Sequence, residues 1–480
     1  MSLYCRPFLA MNPSLRCNDI HSKLNPTRVA EVLFPQDEDD VIRAVVEAKN
    51  QRRAISICGG RHAMGGQQFG EDTLLLDMTG LDFVKPVDRV HGTVEVGCGI
   101  QWPALLAALH AQQEGEETVW TIRQKQTGAD NLTIGGALAA NIHGRGLRMK
   151  PFVDDIECFR IVDAEGVPHH CSRTENEKLF ALAIGGYGCF GIVTAITLRL
   201  SPRIKLQRIV EVTTLDLLPD TIRERIGRGC LYGDFQFSID EQSDDFLWKG
   251  VLSSYRPVSG DPVIPTSQTV LNATKWQELV TLAHHDRKKA FQTYADYYLS
   301  THGQLYYSDI HQLSMYVNDY HEQLNRDARP ACQASEMITE LYVPHDHLIS
   351  FMKEAATLLR SRGVAVIYGT MRLIRKDSVS FLSWAQSDFA CVIFNLHTEH
   401  SEEGIAQAAQ VFQSLIDLAI SFQGSYFLTY HRWARRDQIE AAHPNFAAFL
   451  SEKLRLDPQE RFQSNWWRHH RDLFSLFSNR

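Results

Sequence analysis
The sequence predicts an α+β protein built from more than one domain. Three observations predict it. Over the first 200 residues, short β-rich runs alternate with stretches of helical periodicity. Glycine-rich turns punctuate that same stretch. From about residue 205 the texture changes to longer β runs, more aromatics and two long amphipathic segments. With 480 residues, 44% of them hydrophobic, the chain can bury a large core, and its length suggests two or three domains.

The elements follow in order. "DEDDVIRAVVEAKN" opens with acidic residues and repeats apolar residues at helical spacing, so it reads as a helix. "AISIC" is a buried strand running into a glycine turn; "TLLLDM" and "TVEVGCG" are short strands between turn residues. "QWPALLAALHAQQ" is a helix with proline near its start. "DIECFRIVDAEGVPHHC" reads as strand, tight turn at Glu165-Gly166, and return strand. "SRTENEKLFALAI" reads as a helix capped by Ser172 or Thr174, and "FGIVTAITLRL" as a β-branched strand that ends the first domain near Pro202. In the second half, "LYGDFQFSI", "VAVIYGTMRLI" and "FACVIFNLHT" read as strands. "HDHLISFMKEAATLLRSRG" and "EEGIAQAAQVFQSLIDLAISFQG" read as helices flanking the sheet. The expected division is 1–204, 205–425 and a C-terminal segment 426–480 that packs back on the first domain.

Bulk properties exclude several classes. A formal net charge of −8 and short, scattered basic clusters do not fit a nucleic-acid partner. No apolar run reaches the roughly 18 residues of a membrane span. The N-terminus lacks a charged region leading into an apolar stretch, so no signal peptide is expected and the expected location is cytoplasmic. Ten dispersed cysteines without a C-x-x-C pair read as small, reduced hydrophobes. The run His169-His170-Cys171 lacks zinc-type spacing and is assigned to a surface hairpin, and no metal site is expected.

Three glycine clusters carry the chemistry. They are Gly59-Gly60…Gly65-Gly66, then "TGADNLTIGGALAANIHGRG" from Thr127 to Gly146, then "IGGYGCFGIV" from Ile184 to Val193. Glycine lets amide N–H groups form a concave nest that a diphosphate can approach. In the second cluster Thr133 and Gly135-Gly136 precede an apolar run, so a helix start adds its positive end. None of the three is a P-loop or an ordinary G-x-G-x-x-G Rossmann turn.

The ordered set "GGRHAMGGQ", "LLLDMTGL", "VEVGCGIQWPALLAAL", "TIGGALAANIHGRG" and "GGYGCFGIVTAITL", with the closing "LDPQERFQSNWW", resembles the vanillyl-alcohol oxidase superfamily of FAD-linked oxidases. The resemblance covers the first 200 and last 50 residues well and the middle poorly. The subgroups it points to are the sugar, polyol and aldonolactone oxidases and the decaprenylphosphoryl-ribose oxidases. It implies a PCMH-type FAD-binding domain followed by an α+β substrate domain with an antiparallel sheet. Gly59, Gly60, Arg61, Ala63, Met64 and Gly65 would line the FAD diphosphate. His62 would be bonded covalently to the flavin, as is the histidine of an R-H-S or G-H-S motif in alditol oxidases and cytokinin dehydrogenases. Here the motif reads Arg61-His62-Ala63, with alanine in place of serine. The other reading of His62 is a ring packed in the turn against a phosphate. Gly128, Thr133, Ile134, Gly135, Gly136, Asn141 and His143 would pass beneath the pyrophosphate and flavin edge, with Ile192 supplying backbone contact. His143 is either an orienting group or a catalytic one.

Flavin-dependent alcohol oxidation needs a positioned C–H, an exit for the hydroxyl proton and a cation near the ring. By resemblance Arg372 is the active-site arginine of an E-x-R strand, with Thr370 where polyol oxidases carry glutamate. In "YFLTYHRWARRD", relatives carry a lysine that this chain lacks. Tyr430, His431, Arg432 and Arg435 compete for its place, His431 first and Arg435 next. Cys391 reads as a buried thiol, at a position where the ribose oxidases have a substrate-facing cysteine. The implied activity is oxidation of a C–OH group on a small-molecule substrate such as a sugar, polyol, lactone or hydroxy acid, with O2 as acceptor. The alternatives are a dehydrogenase using a quinone or protein acceptor, or a non-catalytic flavin-binding relic.

Overall fold
The β-branched run Ile192–Pro202 organises the N-terminal half. The computed structural model describes residues 15–314, 322 and 332–474. A ribbon of β1 (Leu15–Cys17) and β2 (Thr27–Val29) precedes a parallel sheet of β3 (Glu31–Leu33), β4 (Ile55–Cys58) and β5 (Leu74–Asp77), in order β3-β5-β4. Between β3 and β4 lies α1 (Glu38–Asn50). The Asp37 side chain caps its start by accepting from the Asp40 amide, and Val41, Ala44, Val45 and Ala48 form the buried stripe. The second sheet contains β6 (Thr93–Gly97), β7 (Trp120–Ile122), β8 (Ile156–Val162), β9 (Pro168–Ser172) and β10 (Ile192–Pro202). β10 pairs with β6, β7 and β8, all antiparallel. Helices α2 (Trp102–Gln112) and α3 (Ile134–Ala140) share its core.

One boundary differs from expectation. α4 runs from Glu177 to Ala183, starting at Asn176 rather than at Ser172 or Thr174. The Ser172 hydroxyl accepts from the amides of Thr174 and Glu175, a local turn that competes with helix. Asn176 then enters the helix from the left-handed region at φ 48°.

The third sheet has eight strands: β11 (Lys205–Thr214), β12 (Tyr232–Phe237), β13 (Lys249–Pro257), β14 (Leu305–Tyr307), β15 (Ala334–Pro344), β16 (Val366–Ile374), β17 (Phe389–Glu399) and β18 (Ser425–Tyr426). Their order is β14-β11-β13-β12-β16-β17-β15-β18, antiparallel throughout. Helix α5 (Leu218–Gly227) contributes Leu218 and Ile222, α8 (Leu348–Ser361) Phe351 and Met352, and α9 (Glu402–Ser421) Phe412 and Leu415 to an apolar cluster with Met337, Leu341, Phe235 and Phe394 of the sheet. A second helix pair, α6 (Ala273–His285) and α7 (Arg287–Ser300), forms its own small cluster with Val210 and Val251 of β11 and β13.

The tail returns to the first sheet through backbone. The Ile55 amide donates to Arg461 O at 2.7 Å, and the Gln463 amide donates to Ile55 O at 2.8 Å. The Asp457 side chain accepts from the amides of Arg461 and Phe462, holding that turn. The tail helices α10 (Arg436–Ala442), α11 (Phe446–Leu456) and α12 (Asn465–Leu473) bury Phe446, Phe449, Trp466 and Trp467. No described helix is long and apolar enough to cross a membrane.

Candidate functional site
The turn after β4 is built by close approach. A Cβ on Gly59 would lie 2.2 Å from Thr133 Oγ1, and one on Gly60 would lie 2.3 Å from the Asn131 carbonyl oxygen. Only glycine lets the 59–60 turn seat against the 131–133 loop. Arg61 adopts a left-handed φ of 59° and ties its guanidinium to Asp77 at 2.8 Å. The amides of Gly60, Arg61 and Ala63 have no acceptor among the described residues. They form a nest of donors of the kind that holds a diphosphate. The start of α3, expected to share this role, has its donors engaged: Ile134 gives its amide to Ile100 O, Gly135 to Cys98 O and Gly136 to Thr133 Oγ1. Of the two turns, only 60–63 keeps amides without an acceptor among the described residues.

This turn opens into a cavity of about 820 Å³, the size range of cofactor sites. Gly59, Gly60, Arg61, His62, Ala63, Gly128, Thr133, Gly135 and Gly136 line it. A Cβ at Gly128 would stand in open space. His62 contacts His21, Nδ1 to Nε2, at 2.8 Å. Burial pulls its pKa down to about 4, so the ring is neutral. His143, Arg372 and Tyr430 line the same cavity, Arg372 from β16 of the eight-stranded sheet.

Glu340, absent from the sequence reading, joins these groups. It projects from the middle of β15, 2% exposed. Its Oε1 lies 2.6 Å from His143 Nε2 and accepts from the Tyr342 hydroxyl, and its Oε2 accepts from the Tyr430 hydroxyl at 3.2 Å. Burial would raise this carboxyl, but His143, Tyr342 and Arg372 outweigh it and hold the group below its ordinary value. His143 Nδ1 faces Gly144 O at 3.0 Å. Both ring nitrogens thus face oxygens within hydrogen-bonding distance. Behind the pair, Tyr342 stacks on Trp384 with ring centroids 4.5 Å apart, and Cys391 Sγ lies 3.6 Å from His143 Nε2. Burial drives that thiol well above its ordinary value, leaving it protonated. Arg372 sits across from Cys391 in the β16–β17 register. Its Nε is buried with no hydrogen-bond partner among the described residues.

The remaining expected residues stand elsewhere. Asn141 ends α3 in the left-handed region and cross-links the fold, donating to Asp377 and Ser380 and accepting from the Val153 amide. Ile134 and Ile192 are core residues. Gly65 donates its amide to Thr429 O, and Met64 packs in the core that faces the helices. His431 turns away from its neighbour Tyr430. It packs edge-on against Phe412 and stacks near Trp433, and burial lowers its pKa to about 3. Arg435 is at the surface, paired with Asp417 at 2.9 Å and Asp437 at 3.0 Å. Thr370 is fully buried and donates to Phe235 O.

The donor nest, the neutral histidine beside it and the polar groups in the same cavity fit an adenine dinucleotide. Comparison with known proteins agrees. Residues 29–172 match the model of an FAD binding domain. A stretch of 170 residues is 27% identical to an uncharacterized oxidoreductase, ORF5 in the fasciation locus of Rhodococcoides fascians, covering 35% of this chain and 37% of that protein. L-gulonolactone oxidase of Bos taurus is 25% identical over 189 residues, 39% of this chain and 41% of the relative. Decaprenylphosphoryl-beta-D-ribose oxidase of Mycolicibacterium smegmatis is 26% identical over 204 residues, 40% of this chain and 41% of the relative. The matched stretch thus spans well under half the length of each relative. Residues 29–172 are thus an FAD-binding domain, similar over this part of the chain to FAD-linked oxidoreductases of the vanillyl-alcohol oxidase superfamily.

Proposed function
We propose that this protein oxidises a C–OH group of a small molecule to a carbonyl, with dioxygen as the final acceptor and hydrogen peroxide as product. The observation that carries the reading is the buried Glu340–His143–Tyr430 cluster, which lines, with Arg372, the same cavity as the diphosphate nest. FAD, when bound, supplies a two-electron acceptor for the hydride of the carbinol carbon. Glu340, kept ionised, accepts the hydroxyl proton, either directly or through the Tyr430 hydroxyl. His143 holds the Glu340 carboxylate in place, and Gly144 O fixes the ring. Arg372 brings a permanent positive charge into a dry wall, where it favours negative charge developing nearby. On this reading residues 1–204 hold the cofactor, 205–425 supply the substrate floor, and 426–480 close on the first unit.

His62 is the proposed point of covalent attachment. It lines the cavity beside the nest, and its neutral ring can act as a nucleophile. Acid-precipitated wild type should keep its yellow colour, and the tryptic peptide containing His62 should carry the mass of one FAD. His62→Ala should release all flavin into the supernatant. Flavin released from the wild type would refute the tether. Peroxide release on a panel of alcohols, polyols, lactones and hydroxy acids tests the activity itself. Flavin that is reduced by an alcohol but reoxidised only by a quinone would overturn the choice of acceptor.

A further inference from the structure
The cavity does not end at the Glu340 cluster. It continues between the α6–α7 helix pair and the same sheet face, where Leu271, Trp276, Leu279, Phe291, Tyr294 and Tyr298 line it. Leu271, Leu279 and Tyr294 are buried and belong to a small cluster separate from the main cores. Trp276, Phe291 and Tyr298 pack on it half-buried. Tyr294 and Tyr298 stack with centroids 4.3 Å apart. Arg208 donates to Tyr255 and Thr301 and lies over the Tyr306 ring, and Arg145 pairs with Asp234 at 3.6 Å.

A free polyol presents a hydroxyl on every carbon. In this extension most would lose water without gaining a partner, at a cost for each group. A cationic body would meet Arg145 and Arg208, and the nearby Asp234 is already paired with Arg145. A neutral aromatic or alkyl body would replace water against apolar side chains at no polar cost.

We infer that the α6–α7 extension is a subsite for an apolar body, so that the substrate is an alcohol bearing an aromatic or alkyl group rather than a free polyol. The inference rests on the C–OH reading above for the placement of the reacting carbon. Its binding part stands independently.

Two measurements on the FAD-loaded full chain test it. The first is kcat/KM for cinnamyl alcohol and 1-octanol against xylitol and D-sorbitol. At least a tenfold preference for the first pair is expected, the discrimination that apolar pockets reach. The second is calorimetric titration with cinnamyl methyl ether, which has the apolar body but no C–OH group. It should bind the wild type, and Leu279→Asp should weaken it about tenfold or more. Trp276→Ala, at a half-buried position, repeats the test if Leu279→Asp fails to fold. Both variants should raise KM for cinnamyl alcohol more than they lower kcat. Equal or better turnover of the polyols, or no binding of the ether to the wild type, overturns the subsite. Ether binding with no flavin reduction by any alcohol leaves the subsite standing and overturns the C–OH reading instead.

Discussion
Adjacent residues of β15 live in opposite surroundings. Met337, Leu341 and Val343 point into the apolar cluster under α8 and α9, whereas Glu336, Ile338 and Glu340 line the cavity. Strand geometry alone makes this division, because successive side chains leave opposite faces. The same strand therefore carries two different tasks one residue apart. One face is held by burial of alkyl groups, the other by matching a carboxylate to His143, Tyr342 and Tyr430. Tyr430 and His431 repeat the division in a loop, with Tyr430 on the cavity and His431 against Phe412. Stability should respond to one face and turnover to the other.

The largest effect is expected at Glu340. Glu340→Gln keeps the shape but removes the charge, and kcat/KM should fall about 10²–10⁴-fold, the range of a lost general base. FAD content should be unchanged, since no diphosphate-nest residue is touched. Stopped-flow flavin reduction with an active alcohol reads it. Leu341→Ala, one residue along, should do the reverse. It should cost about 2–5 kcal/mol in denaturant unfolding, as core truncations do, while the folded fraction keeps near wild-type flavin reduction. If Leu341→Ala abolished reduction and Glu340→Gln did not, the division of tasks would be wrong.

Much of the candidate site was legible and some was not. The glycine turn, Arg61, His62 and Thr133 can be found from local sequence because they act through backbone shape and short spacing. The β10 strand and α1 show plain periodicity. Glu340 was hidden for a physical reason. Its partners His143 and Tyr430 lie 197 and 90 residues away in loops, and only the tertiary fold brings them together. A signal did exist in "ASEMITELYVP", where two carboxylates alternate with apolar residues in a strand-like run. Burying such groups without partners costs several kcal/mol, so that pattern marks either an exposed edge or a site. Arg435, second to His431 for the place of the lysine that relatives carry, sits at the N-terminal end of α10 within reach of two surface carboxylates. The α6–α7 pair escaped reading because its tyrosines and leucines do not form one clean stripe.

The apolar side also carries titratable groups, which give a smaller, pH-dependent effect. Burial lowers His431, His443 and His470 to about 3. The unfolded chain protonates these rings near 6.5, whereas the fold keeps them neutral. The stability they permit is therefore full above about pH 6.5 and declines as the pH falls toward 3. Each ring contributes up to about 1.4 kcal/mol per pH unit. Denaturant midpoints measured from neutral to mildly acid pH should fall, and His443→Gln should flatten the decline. A midpoint that rose on acidification would contradict these burials. The smallest effect is expected for Arg435→Ala. An exposed ion pair contributes little, so stability should change by about 0.5 kcal/mol or less and kcat/KM less than twofold. A loss of turnover there would return the site to the surface loop.

Anaerobic titration of the FAD-loaded protein with an active alcohol tests the central claim most directly. Wild type should lose its visible flavin band on mixing. Glu340→Gln, loaded with the same amount of FAD, should keep its band over the time the wild type needs for full bleaching. Bleaching of both proteins at the same rate would contradict the assignment of the sheet face as the reacting end of the cavity.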